Sequence, residues 1–127
     1  AHPPWAANRI VRDTWLNPGQ KIYIVQIRGR GPGGWATSKM YHSLEEARRE
    51  LSLLDEFKSG SLDLVLQEYT VTAPMPVRVG AAGPQVSGWP KSEMLPGGGP
   101  QIELLIDWRT TDWRTFLNAG QTLSFSK

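Results

Sequence analysis

The sequence predicts an α+β fold in which a mostly antiparallel β-sheet core carries one main helix and long glycine- and proline-rich loops. Three observations support this prediction. Short runs of β-branched and aromatic residues alternate in polarity, one segment has a strong helix-start signal, and the 13 glycines and 10 prolines cluster without repeating. The 127 residues suffice for one hydrophobic core, so we predict a single domain over 1–127, with 1–16 as an N-terminal extension.

The first predicted strand covers residues 21–28 (KIYIVQIR), which are rich in β-branched and aromatic side chains. Alternation divides these side chains between two faces, one of which carries Ile22, Ile24, Gln26 and Arg28. Residues 29–34 (GRGPGG), called the glycine loop below, cannot form regular structure. Residues 35–38 (WATS) are predicted to be a short strand after it.

The main helix is predicted over residues 44–57. Ser43 and Glu46 have the spacing of a capping box, in which the serine caps the first turn and the glutamate bonds back. The apolar residues of this segment fall on one stripe, namely Leu44, Ala47, Leu51 and Leu54. A second strand is predicted over 62–71, with one face formed by Val65, Gln67, Tyr69 and Val71.

Residues 72–100 are predicted to be a long loop that contains a short paired segment at 77–79. A loop of this length in a compact domain is usually functional or disordered. A third strand is predicted over 101–108, a helical turn over 112–117 and a last strand over 121–125.

Composition and charge argue against several classes of function. A net charge of +2 is too small to indicate nucleic-acid binding, and no apolar run is long enough to span a membrane. The absence of cysteine excludes disulfides, thiolate metal sites and a cysteine nucleophile. With only His2 and His42 available, neither a zinc site nor a Ser-His-Asp triad is indicated.

The glycine loop is the first candidate binding element. Its glycines allow backbone N–H groups to approach an anion, and Arg28 or Arg30 could bind two phosphate oxygens. The loop matches neither the Walker pattern nor the dinucleotide fingerprint, because no Gly-Lys-Ser/Thr follows and no helix begins directly after it. A plain hairpin loop is the alternative interpretation.

The second candidate is the run of three glycines at 97–99, just before Gln101. Consecutive glycines are costly to order, and their usual purpose is close approach of the backbone to a ligand. On the strand that follows, Gln101 and Glu103 share one side and form a candidate site wall. The alternative is a flexible loop before an ordinary strand. Gln67, on a face that otherwise looks like core, either satisfies backbone groups or lines a pocket.

Three blocks of the chain, residues 28–38, 68–77 and 97–101, resemble the tuberculosis necrotizing toxin family. That family consists of NAD(P) glycohydrolase domains at the C-termini of secreted bacterial polymorphic toxins. The resemblance covers roughly residues 21–123 and is most specific at 97–101 (GGGPQ).

By this resemblance Gln101 is the catalytic glutamine, and Arg28, with Arg30 as its rival, binds the dinucleotide. Trp35 lies where an aromatic residue could stack on a flat ring. The family has a histidine near position 67, so Gln67 indicates a branch that works without one. The candidate residues are, for catalysis, Gln101, Gln67 and Glu103 and, for substrate binding, Arg28, Arg30, Trp35, Ser38, Gly98 and Gly99.

The resemblance implies a toxin that cleaves the nicotinamide–ribose bond of NAD or NADP without a metal or a cofactor. It also implies a cognate immunity protein as partner. The toxin would be a secreted or injected effector that acts in the cytoplasm of the target cell, with its targeting region outside this chain. Such a site needs no classical acid–base pair, because cleavage expels neutral nicotinamide from a cation. Clamping the pyrophosphate, holding the ribose and placing a water would suffice.

Two alternatives stay open. An ADP-ribosyltransferase would use Arg28, the Thr37-Ser38 patch and the pair formed by Gln101 and Glu103, and a protein side chain would take the ribose in place of water. Glu103 separates this hypothesis from the hydrolase. The third hypothesis is a non-catalytic module whose exposed loops bind another protein.

Overall fold

The computed structural model describes residues 5–6, 11–51, 64–83, 85–87, 93–95 and 97–125. In chain order its elements are β1 (Arg12–Leu16), β2 (Lys21–Ile27), β3 (Trp35–Ala36), α1 (Leu44–Leu51), β4 (Leu64–Val71), β5 (Met75–Ala81), β6 (Gln85–Ser87), β7 (Glu93–Leu95), β8 (Pro100–Leu104), a 3₁₀ turn (Trp113–Thr115) and β9 (Leu117–Ser124). All strand pairs among these residues are antiparallel. The predicted α+β class is confirmed.

The strands form two sheets and one small hairpin. The first sheet has the order β1-β5-β8-β3, the second has the order β2-β4-β9, and β6 pairs with β7. A bridge between Tyr23 of β2 and Thr37, the residue after β3, joins the two sheets. Each of these residues donates its N–H to the carbonyl of the other at 2.8 Å. The second sheet therefore continues from the edge of the first.

The main core contains buried apolar side chains from both sheets. The first sheet contributes Leu16, Ala36, Met75, Val77, Ile102 and Leu104, and the second contributes Ile22, Ile24, Tyr69, Val71 and Leu117. A second cluster contains Tyr23, Tyr41, Ala47 and Leu66, and it packs α1 on the opposite face of the second sheet. Because the second sheet is covered on both faces, β4 is buried along nearly its whole length.

Helix α1 begins where the capping box predicts. Ser43 Oγ accepts a hydrogen bond of 3.3 Å from the amide of Glu46, and Ser43 O accepts one of 3.0 Å from the amide of Ala47. Two glutamates in the first turn also suit the helix dipole. The predicted end of the helix at residue 57 and the first two residues of the second predicted strand, 62–63, lie outside the described residues.

Residues 12–16, which were predicted to lie in an N-terminal extension, form the edge strand β1 of the first sheet. The pairing with β5 runs from Arg12 opposite Val79 to Leu16 opposite Met75. Leu16 is the only buried side chain of the five, so this strand lacks the apolar pattern from which it could be predicted.

The stretch predicted as one long loop, 72–100, contains β5, β6, β7 and the first residue of β8. Strand β5 lies between β1 and β8 in the first sheet, and its segment 77–79 is paired as predicted. Pro76 lies near its start and accepts a hydrogen bond of 3.1 Å from the amide of Leu105. The full length of β5 was not predicted, because the prolines and glycines of this region usually interrupt a sheet.

The last part of the chain follows the predicted order with shifted bounds. Strand β8 ends at Leu104 instead of residue 108, because the chain turns at Asp107, whose carbonyl accepts from the amides of Thr110 and Thr111. The predicted helical turn is the 3₁₀ turn, capped by the Asp112 side chain on the amide of Arg114. Strand β9 begins at Leu117, four residues earlier than predicted.

Candidate active site

The glycine loop spans a hairpin whose two strands diverge. Strands β2 and β3 are bridged at Tyr23 and Thr37, but beyond this bridge they pair in different sheets. Residues 29–34 connect their separated ends. The loop therefore lies where the two sheets separate.

Gln26 holds the first part of this loop. Its Nε2 donates to the carbonyl of Arg30, and its Oε1 accepts a hydrogen bond of 2.9 Å from the phenol of Tyr69. The turn before it has Gly29 at a φ of 83°, with the amide of Arg30 donating to Ile27 O at 3.1 Å. Burial raises the pKa of Tyr69 despite the opposing effect of its hydrogen bond to Gln26, so the phenol keeps its proton.

The far end of the loop is also held through carbonyl groups. Gly33 O accepts a hydrogen bond of 2.9 Å from the indole Nε1 of Trp108. Gly34 O accepts one of 2.8 Å from the amide of Leu104, at the end of β8. The loop is thus attached to the second sheet at one end and to the first sheet at the other.

Trp113, from the 3₁₀ turn, covers the middle of the loop. A side chain on Gly31 would begin 3.0 Å from Nε1 of this indole, so the backbone approaches the ring closely. The ring packs edge-on against Tyr69, with centroids 5.5 Å apart and an interplanar angle of 78°. A larger residue at position 31 would therefore require the indole to shift.

The N–H groups of the loop are suited to bind an anion. Among the described residues, the amides of Gly29, Gly31 and Gly33 donate to no protein group. The side chains of Arg28 and Arg30 are exposed beside them. A fixed backbone with such N–H groups and two guanidinium groups matches a phosphate or diphosphate.

Arg28 and Gln67 lie at the same end of the second sheet. Arg28 Nη2 is 3.2 Å from Ser124 Oγ, and Gln67 Oε1 accepts a hydrogen bond of 2.6 Å from Thr122 Oγ1. Thr122 and Ser124 are two residues apart on β9 and share one face. This end of the sheet is therefore polar, whereas the other end of the same face belongs to the main core.

The amide of Gln67 is engaged by the backbone. Its Nε2 lies 3.0 Å from Glu68 O, 3.2 Å from Gly120 O and 3.2 Å from Gln121 O, where the register between β4 and β9 shifts. An amide nitrogen has two hydrogens, and three carbonyls are within reach of them. This favours the hypothesis that Gln67 satisfies backbone groups at the bulge.

The run of three glycines packs against the fold itself. Their amides donate to backbone carbonyls at 2.8 or 2.9 Å: Gly97 to Arg49, Gly98 to Ala82 and Gly99 to Glu50. A side chain on Gly99 would begin 2.6 Å from the phenol oxygen of Tyr41. The close approach that these glycines permit is therefore to α1 and to the end of β5. At Gly98, which is exposed, nothing lies within 4 Å of the place of a side chain.

Strand β8 places Gln101 and Glu103 on the face opposite the core residues of that strand, as the alternation predicts. Glu103 pairs across the sheet with Trp35 on one side and with Arg78 on the other. Arg78 Nη1 is 3.5 Å from Glu103 Oε1, and its Nε is 2.8 Å from Asp13 Oδ1. Glu103 thus belongs to a row of charged residues on the outer face of the first sheet.

The predicted site residues fall into two groups. The first sheet and the loop before β8 carry Gln101, Glu103, Trp35, Gly98 and Gly99, and the second sheet with the glycine loop carries Gln67, Arg28 and Arg30. Trp35 directly follows the glycine loop and connects the groups along the chain. Ser38 is exposed immediately after the bridge that joins the sheets.

Three residues that shape the loop, Gln26, Tyr69 and Trp113, are absent from the predicted site. Gln26 gave a usable signal, because it is a polar residue on a strand face that otherwise carries Ile22 and Ile24. Buried amides need partners, so such a residue indicates a nearby backbone segment that must be held. Nothing local in the sequence brings Trp113 to the loop.

A charged cluster attaches α1 to the segment before it. Tyr41 donates a hydrogen bond of 3.0 Å to Glu50 Oε1, and Lys39 Nζ lies 3.2 Å from the same oxygen and 4.7 Å from the Tyr41 ring centroid. Burial and the hydrogen bond to Glu50 raise the pKa of Tyr41. Partial burial opposes ionisation of Glu50, but the hydrogen bonds from Tyr41 and Lys39 lower its pKa overall. A neutral phenol and an ionised carboxylate therefore meet beside Gly99.

Within the described residues, no group of three or more His, Cys, Asp or Glu residues is arranged to hold a metal ion. No helix in the described ranges is long and apolar enough to cross a membrane.

The fold is similar to three solved structures. A chain in the structure of Tne2 in complex with Tni2 matches 96% of this chain and 99% of its own length, with 22% identity and a TM-score of 0.72. A chain in the structure of Rhs1-CT with its cognate immunity protein RhsI1 matches 92% and 83%, with 20% identity and a TM-score of 0.64. A chain in the structure of Tse6 in complex with Tsi6 matches 93% and 77%, with 18% identity and a TM-score of 0.56. These likenesses establish a shared fold.

No protein-family model matches the sequence, and no curated protein matches it either.

Proposed function

We propose that this chain is the catalytic domain of a toxin that hydrolyses the nicotinamide–ribose bond of NAD or NADP. The observation that carries the proposal is the glycine loop. It is fixed through its carbonyls, and the amides of Gly29, Gly31 and Gly33 donate to no protein group within the described residues, beside Arg28 and Arg30. A dinucleotide offers a diphosphate to such a loop. The resemblance of residues 97–101 to the glycohydrolase toxins supports nicotinamide release as the reaction.

In this reaction the C1′–N bond breaks and its electron pair leaves with nicotinamide, which departs as a neutral molecule from the pyridinium cation. A water oxygen forms the new bond to C1′ and releases one proton, which yields ADP-ribose. The transition state resembles an oxocarbenium ion, as in glycoside hydrolysis. We assign the diphosphate to the glycine loop and Arg28. On the resemblance of residues 97–101 alone, we assign the orientation of the ribose or the water to Gln101.

We further propose that a cognate immunity protein covers the glycine loop. Each of the three similar chains was solved in a complex, and for Rhs1-CT the partner is a cognate immunity protein. Such an effector would act in the cytoplasm of the target cell, where NAD and NADP are the substrates.

The transferase alternative has less support from the geometry. Thr37 is only 1% exposed and bridges the two sheets, so it is not available to a substrate. Glu103 is paired with Arg78 on the outer face of the first sheet. A hydrolase is expected to retain NAD consumption in the Glu103→Gln variant, whereas a transferase would lose transfer to protein acceptors.

The decisive experiment follows nicotinamide release from NAD by the purified chain. Arg28→Ala is compared with Arg109→Ala, because the Arg109 side chain is 90% exposed and its ion pair is with nearby Asp107. We expect the Arg28 variant to lose about tenfold to a hundredfold in kcat/KM, the range for one charge-assisted hydrogen bond. The Arg109 variant should match the wild type.

A second pair of variants tests the catalytic glutamine. Gln101→Ala is compared with Gln121→Ala, whose side chain is exposed on β9. We expect loss of turnover in the first and none in the second. Absence of nicotinamide release by the wild type would overturn the enzyme and favour the protein-binding module. Full activity of Gln101→Ala would overturn the site assignment alone.

A further inference from the structure

We propose that Gln26 is a positioning residue of this site, which sets the shape of the glycine loop for binding the diphosphate. The inference rests on the proposed function. It concerns a residue that touches the loop and not the substrate.

The first argument is burial. Gln26 is 7% exposed and lies on the face of β2 that carries Ile22 and Ile24 in the main core. An amide in such a place costs desolvation free energy unless both of its ends are hydrogen-bonded. Both ends are engaged here, by the carbonyl of Arg30 and the phenol of Tyr69. An apolar side chain of the same size would fill the space but could not hold the loop.

The second argument is the direction of the peptide groups. In a trans peptide the C=O and the N–H point in opposite directions. Holding the Arg30 carbonyl against Gln26 therefore directs the N–H of Gly31 away from Gln26. The Gly31 amide is one of those that donate to no protein group within the described part of the chain. Gln26 thus orients one of the groups that we assign to the anion.

The third argument is that the support continues beyond Gln26. Tyr69, which donates to Gln26, also packs edge-on against Trp113, and Trp113 covers Gly31. The Gln26 amide therefore holds the loop at Arg30, and the Trp113 indole packs against it at Gly31. Loss of the amide would release the Arg30 peptide while leaving the aromatic contact in place.

The test compares Gln26→Met with Gln121→Met. Methionine has a similar length but no amide, and Gln121 is exposed on β9. Steady-state kinetics with NAD give kcat and KM, and hydrogen exchange measured by mass spectrometry reports the amides of 29–34. For Gln26→Met we expect KM to rise about tenfold, the factor for loss of one hydrogen bond, with kcat within about twofold. Exchange of the Arg30 amide, which donates a hydrogen bond to Ile27 O, should accelerate while exchange in β5 stays unchanged.

A second variant, Tyr69→Phe, keeps the ring on Trp113 and removes the hydroxyl. Gln26 can still donate to Arg30 O in this variant, so we expect a smaller rise in KM. If Gln26→Met does not fold, as judged by thermal unfolding, the same kinetic and exchange comparison is made with Tyr69→Phe.

Unchanged KM and unchanged exchange in Gln26→Met would overturn the proposal. Faster exchange with unchanged KM would also overturn it, because Gln26 would then have a structural role only. If the wild-type chain does not consume NAD, the proposed function fails and the substrate role of Gln26 fails with it. The exchange measurement then decides separately whether Gln26 holds the loop.

Discussion

The carboxylate of Glu68 on β4 occupies the space in which a side chain at position 120 of β9 would begin. A Cβ placed on Gly120 would overlap Glu68 Oε1. Glu68 is buried, with its Oε2 3.5 Å from the phenol oxygen of Tyr23 and 3.8 Å from Nζ of Lys21. Glycine is usually disfavoured inside a strand, so this buried carboxylate explains its presence in β9.

We expect Gly120→Ala to lower the free energy of unfolding by about 1 kcal/mol, the lower end of the usual cost of overpacking, because the Glu68 carboxylate must move aside. The overlap reverses the small gain that alanine normally brings by restricting the unfolded chain. Urea unfolding provides the measurement, and Gly33→Ala, with nothing within 4 Å of the added group, is the control. In the double variant Gly120→Ala/Glu68→Ala the two losses should be less than additive. Strict additivity would show that the two residues do not interact.

The glycine run gives a second prediction. Gly99→Ala is expected to destabilise the fold by about 2 kcal/mol or more, because the added group meets Tyr41 Oη at 2.6 Å and Glu50 Cβ at 2.9 Å. In Gly98→Ala the added methyl group has no atom within 4 Å, but the backbone at this position has a φ of 90°. A strain of about 1–2 kcal/mol is expected for alanine in this conformation. Thermal or urea unfolding ranks the variants. A more damaging change at position 98 would contradict the packing role of Gly99.

The three tyrosines of the chain are expected to lose their protons at a higher pH in the folded state than in the unfolded state. Burial is the largest cause of the raised pKa of Tyr23, Tyr41 and Tyr69 relative to 10.0. Because the folded state favours the neutral phenols, their contribution to stability is complete below pH 10 and is lost as the pH rises through the folded pKa values. Tyrosinate absorbance should therefore appear at higher pH in the folded chain than in urea, together with unfolding. Coincident titration curves would refute this expectation.

The contacts of Gln67 predict an effect on stability. Gln67→Met should lower the free energy of unfolding by about 1–3 kcal/mol, because the carbonyls of Gly120 and Gln121 lose their donor at the bulge. The kcat per folded molecule should stay close to that of the wild type. Circular dichroism gives the folded fraction and nicotinamide release gives kcat. A fully stable variant with a large loss of kcat would instead support the catalytic role predicted from the sequence.

The helix start and the strands β2, β4 and β8 could be predicted because their signals are local. The Ser43 capping box is confirmed by the hydrogen bond from the amide of Glu46. Alternation also placed Gln101 and Glu103 on one face of β8. These patterns depend only on the geometry of the segment itself.

Strand β5 could not be predicted to its full length, because its partners decide its conformation. Pro76 and Gly80 would interrupt an isolated strand, but β5 is held between β1 and β8. A side chain on Gly80 would begin 2.9 Å from the Trp5 ring, a contact between residues far apart in the sequence. The contacts of the glycines at 97–99 likewise depend on the tertiary structure. Close approach was predicted, but only the tertiary structure reveals that Gly99 approaches Tyr41.

Strand β9 completes the second sheet, and it is the last element of the described chain. It pairs along β4 from Val65 to Val71, and its Ser124 lies beside Arg28. During translation, β2 and β4 leave the ribosome well before their neighbour does. The second sheet therefore stays incomplete until residue 124 has emerged.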